Sequence, residues 1–65
     1  MNTLDNLTRM ANQIAANLVH EPDPVAATAE HIRLFWDPRM KSLILGHRDG
    51  LSDTAAAAID SLSGG

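Results

Sequence analysis

Along the first twenty residues, apolar side chains recur at Leu7, Ala11, Ile14 and Leu18, with Leu4, Met10, Ala15 and Val19 beside the same stripe. Alternating spacings of four and three follow the period of an amphipathic helix and predict one over about residues 3–19. Arg9, Asn12, Gln13 and Asn17 fill its polar face, and Thr3 or Asp5 is suited to cap its start. His20-Glu21-Pro22 ends it, because a proline ring disfavours helical geometry in the residue before it.

Asp23-Pro24 then restarts the chain. An aspartate accepts hydrogen bonds from orphan N–H groups at a helix start, and a proline at the first helical position loses no bond it needed. Val25, Ala29, Ile32 and Trp36 repeat the four-three-four spacing and predict a helix over 24–36, widened by Phe35, with Glu30, His31 and Arg33 opposite. Asp37-Pro38 repeats the capping device, so a third helix is expected over 38–47 with Met40, Leu43 and Ile44 inward. The same pair could instead kink one longer helix at Trp36; two helices meeting at a sharp corner is the favoured reading. Arg48-Asp49-Gly50 supplies a break. Leu51-Ser52-Asp53 then reads as staple, cap and first-turn acid of a fourth helix over 52–62. Its stripe of Ala55 to Ala58, Ile59 and Leu62 is thin, so this helix must pack closely or fray. The expected architecture is all-α: a small bundle of three to four short helices in a single domain, residues 1–65, with 63–65 as a flexible tail.

Size limits what such a bundle can do alone. A domain near 65 residues buries only about 60% of the surface its unfolded chain exposes, and packing in such scaffolds rarely supplies more than roughly 3–5 kcal/mol without a disulfide, a metal or a partner. Cysteine is absent, and His20, His31 and His47 are scattered, so a partner is the remaining support. No run approaches a membrane span or a secretory signal, and a cytosolic protein of bacterial style is expected.

Charge is distributed in blocks. Residues 1–32 carry one arginine against four acids, residues 33–48 carry Arg33, Arg39, Lys41 and Arg48 against Asp37 alone, and residues 49–65 carry three unopposed aspartates. A basic middle between acidic flanks is explained either by internal charge balance or by a basic patch that meets an anionic partner. Four basic residues are too few for a nucleic-acid footprint.

Catalytic signatures are missing. The glycines form no phosphate cradle, the serines lack a nucleophile-elbow context, and no catalytic, cofactor-binding or metal-binding residue is assigned in this chain. His31 and His47 could act as switches near neutral pH, though lone histidines on a helix surface are usually only solvated. Three features remain. Phe35 and Trp36 are neighbours on a helix and diverge by about 100°, so both cannot face the core, and one is a candidate interface anchor. Arg39 follows the corner with a planar guanidinium suited to a carboxylate or phosphate. Leu43-Ile44-Leu45 covers more of its helix than one core stripe requires, which leaves apolar surface for another protein. The candidate partner-binding residues are therefore Arg33, Phe35, Trp36, Asp37, Pro38, Arg39, Met40 and Lys41.

The run LTRMANQIAANL at residues 7–18 and the run HIRLFWDPRMKSLILGH at residues 31–47 resemble the delta subunit of cytosolic, NAD-dependent, molybdenum-containing formate dehydrogenase. FWDPRM is the most specific element, RMANQIA the second, and Gly50-Leu51-Ser52 a weaker third. The resemblance implies a small non-catalytic subunit of a complex that oxidises formate and passes electrons to NAD. Other subunits of that complex are expected to carry bis-molybdopterin guanine dinucleotide, iron–sulfur clusters and FMN. It further implies docking on the catalytic alpha subunit in aid of assembly, stability or cofactor insertion, with the basic segment meeting acidic groups or cofactor phosphates. The alternative is a stand-alone helical interaction module or homodimer with unrelated targets.

Overall fold

The computed structural model describes residues 3–64. Four helices follow one another: α1 (Thr3–Asn17), α2 (Pro24–Phe35), α3 (Pro38–Leu45) and α4 (Asp53–Gly64). No strand occurs among the described residues. Thr3 and Asp5 both lie inside α1 rather than at its cap. The helix stops at Asn17, two residues short of the expected end; Leu18 N–H still donates four residues back to Ile14 O, and Glu21 N–H donates to Leu18 O in the turn that follows. Val19 is thereby left in the turn, exposed.

Both Asp-Pro pairs act as caps. Asp23 Oδ1 accepts from Ala26 N–H at 3.1 Å and Asp37 Oδ1 accepts from Met40 N–H at 2.8 Å, each with the proline in the first turn. Trp36 between them is extended (φ −89°, ψ 140°), so α2 and α3 are two helices and not one kinked helix. α3 ends at Leu45, short of the expected His47. Gly46 and His47 N–H groups donate three residues back, to Leu43 O and Ile44 O, and tighten the last turn. Ser52 caps α4 as its sequence suggested, with its Oγ accepting from Ala55 N–H at 3.3 Å. α4 continues through Ser63 and Gly64, both expected in the tail; Gly65 lies outside the described residues.

The core joins all four helices: Leu7, Ala11 and Ala15 of α1, Ile32 of α2 with Trp36 after it, Ile44 of α3, and Ala55 and Ile59 of α4. α2 and α4 share the most extensive seam. Thr28, Ala29 and Ile32 are buried on α2, and Ala55, Ala58 and Ile59 on α4. Alanine suits that seam, because a small side chain lets two backbones approach and recover in dispersion contacts what it lacks in area. The thin stripe is thus a close-packing stripe. Leu43, expected inward, is instead 38% exposed, because the α3 position that reaches the core is Ile44.

Asn12 has a role its place on a polar face did not suggest. Its Nδ2 donates to Gly50 O at 2.9 Å and its Oδ1 accepts from Ser52 N–H at 2.8 Å, which ties the entry of α4 to the middle of α1. Gly50 within that clamp has φ +83°, and a Cβ there would stand 3.3 Å from Thr8 Cγ2. Only glycine meets both conditions without strain.

Two stability predictions follow from the clamp and the seam. Asn12→Ala and Gly50→Ala should each cost about 1–2 kcal/mol in urea unfolding, the first by unmaking two hydrogen bonds and the second through positive φ. Thr28 is fully buried and its hydroxyl has no hydrogen-bond partner. Thr28→Val should therefore raise the unfolding free energy by up to about 1 kcal/mol in the same assay, since a buried unsatisfied hydroxyl is removed at nearly constant shape.

Candidate functional site

The break at Trp36 decides the fate of the two aromatics. Trp36 is 5% exposed and closes the core, whereas Phe35, the last residue of α2, is 72% exposed. Phe35 rests against His31 one turn earlier, with ring centroids 4.7 Å apart and planes tilted by 41°.

The other expected site residues separate by role. Asp37 caps α3, Pro38 opens it, and Met40 is half-buried against the core. Arg33 forms a forked pair with Glu30, its Nη2 donating at 2.8 and 2.7 Å to the two carboxylate oxygens. That hydrogen bond, and then the carboxylate's charge, hold the guanidinium pKa above its ordinary value, so Arg33 stays charged. Lys41 Nζ donates to Arg33 O at 3.2 Å and fastens α3 to the end of α2. Arg48 pairs with Asp60 of α4. Arg39 alone of the four basic residues in this stretch is exposed with no partner among the described residues. The basic middle of the sequence is therefore internal charge balance at Arg33 and Arg48, and a free cation at Arg39.

Beside the corner lies a surface groove of about 490 Å³. Arg9, Met10, Gln13 and Ile14 of α1 form one wall, His31 and Phe35 of α2 with Met40 of α3 the other, and Trp36 the floor. The sequence pointed to the corner but not to the α1 wall. The available signal was Met10, four residues before Ile14 and off the centre of the core stripe. Met10 is 42% exposed.

A family model described as NADH-dependent formate dehydrogenase delta subunit FdsD matches residues 6–61. The chain belongs to this family. No curated protein and no solved structure matches it. As a delta-subunit family member it carries FWDPRM largely for folding: Trp36 is core, Asp37 and Pro38 start α3, and Met40 packs on the core, which leaves Phe35 outside the core against His31 and Arg39 without a partner among the described residues. The other two matching runs also meet, since Asn12 of RMANQIA clamps Gly50 and Ser52.

This delta-family chain has no cysteine to ligate an iron–sulfur cluster. No three of the described His, Asp or Glu side chains gather as a metal site, and no described helix is long and apolar enough to cross a membrane.

The split between the aromatics is measurable. Trp36→Ala should cost about 3–5 kcal/mol and abolish a cooperative circular-dichroism melt in a domain this small. Phe35→Ala should shift the unfolding free energy by no more than about 0.5 kcal/mol.

Proposed function

We propose that the chain is a cytosolic, non-catalytic accessory subunit of an NADH-dependent formate dehydrogenase. In this reading it binds the enzyme's catalytic alpha subunit and aids assembly, stability or insertion of the molybdenum cofactor. The supporting observation is the delta-subunit family match combined with a corner that leaves a phenylalanine and an unpaired arginine facing outward. Exposing most of a phenylalanine and a free guanidinium brings nothing to the fold of a marginal domain, while aromatic and arginine side chains dominate binding energy at interfaces.

Of the eight residues in the corner, Phe35 and Arg39 carry the contact in this reading. Asp37, Pro38 and Trp36 present them, and Arg33 and Lys41 brace the two helices. The narrower idea, contact with cofactor phosphates during insertion, would use the same arginine. Enzyme made without this chain but holding full molybdenum would exclude insertion and leave a stabilising role.

Phe35→Ala combined with Arg39→Glu should lower retention of the chain on tagged alpha subunit by about tenfold or more while its helicity is unchanged. Undiminished retention of the folded double variant would contradict the proposal. Trp36 is unsuitable for this test, because its loss unfolds the chain.

A further inference from the structure

We infer that the groove between α1 and the α2–α3 corner seats an amphipathic helix of the enzyme's large subunit whose apolar row is flanked by carboxylates. This rests on the accessory-subunit reading above and names the surface and the chemistry of the contact.

Three observations carry it. The chain has eight Asp and Glu against five Lys and Arg, yet none of the side chains that line the groove is acidic. The charged side chain among them is Arg9, which also interacts within its own chain, and Arg39 stands in the first turn of α3 beside Met40. A groove that excludes the acids of an acidic protein presents a complementary field to a partner's carboxylates.

The walls are also built for an apolar guest. Met10 and Met40 come from different helices, with Ile14 and Phe35 beside them and Trp36 beneath. Methionine is unbranched and polarizable, and such surfaces adapt to the side chains of an inserted helix. Its volume of about 490 Å³ accommodates several apolar side chains but not a whole folded element, which fits one face of a helix laid into it.

Charge also argues against a second copy of this chain as the occupant. A two-fold pairing across the groove applies the same patch to itself and would bring Arg39 towards its own equivalent. A partner of opposite charge meets no such opposition.

The test uses the full-length chain with Met10 changed to Leu, Lys or Asp, titrated onto the large subunit, with helicity checked by circular dichroism. Met10 is exposed enough for all three to fold. Met10→Leu should bind as the parent does, Met10→Lys should bind more weakly, and Met10→Asp should be weaker than Met10→Lys by at least about tenfold, a gap that narrows as salt rises. Equal losses for Lys and Asp would overturn the acidic partner. Parent-like binding by all three would overturn the groove; if the Phe35→Ala, Arg39→Glu variant still loses binding, the accessory reading survives without it, and if that variant binds too, both fall. A dimeric mass for the isolated chain, lost in Met10→Asp, would assign the groove to a second copy and overturn the inference.

Discussion

The rest of the structure depends on one capping interaction, the acceptance of Met40 N–H by the carboxylate of Asp37. It fixes where α3 begins, and Pro38 in the next position keeps Asp37 itself extended (φ −74°, ψ 166°), so the chain leaves α2 before α3 starts. Trp36 becomes extended, its side chain closes the core, and Phe35 is left on the last turn of α2 facing away. One cap thereby sets the corner, supplies the largest core side chain and exposes the aromatic that the fold does not use. Lys41 reaching back to Arg33 O holds the two helices in that relation.

The remainder of the bundle is economical because it is small. α4 offers mainly alanines to the core, and the α2–α4 seam is tight because of them. Its entry is not left to packing alone: Asn12 holds Gly50 and Ser52, and Ser52 caps the helix. The radius of gyration of 10.5 Å matches the ~11 Å expected for a folded chain of this length, so the four helices close on one another. The buried, unpartnered Thr28 hydroxyl shows that the seam is not optimised for stability.

Much of this was legible in the sequence where local chemistry decides the outcome. The caps at Asp23, Asp37 and Ser52 act within three residues, and the apolar spacing identified Leu7, Ala11, Ala29, Ile32, Ile44 and Ile59 as core-facing, while leaving open which of Phe35 and Trp36 was core. Tertiary geometry decided the rest. The Asn12 clamp spans about forty positions and has no local signature. Leu43 and Ile44 are neighbours, and only the placement of α3 against the bundle chooses between them. The basic block had two readings: internal balance accounts for Arg33 and Arg48, which pair with Glu30 and Asp60, whereas Arg39 has no such pair among the described residues. Met10 was visible as a side chain beside the stripe, but its partnership with Phe35 and Met40 across a groove needed the fold. Most of the delta-subunit motif FWDPRM serves the fold: Trp36 and Met40 pack in or on the core, and Asp37 and Pro38 start α3.

The central claim is that a self-closed helical bundle presents the α1 wall and the α2–α3 corner to the large subunit of formate dehydrogenase. Hydrogen–deuterium exchange of this chain, free and in the assembled enzyme, tests it most directly. The account predicts added protection concentrated in residues 9–14 and 31–40, with α4 changing little. Protection confined to α4, or none in the groove segments, would contradict it.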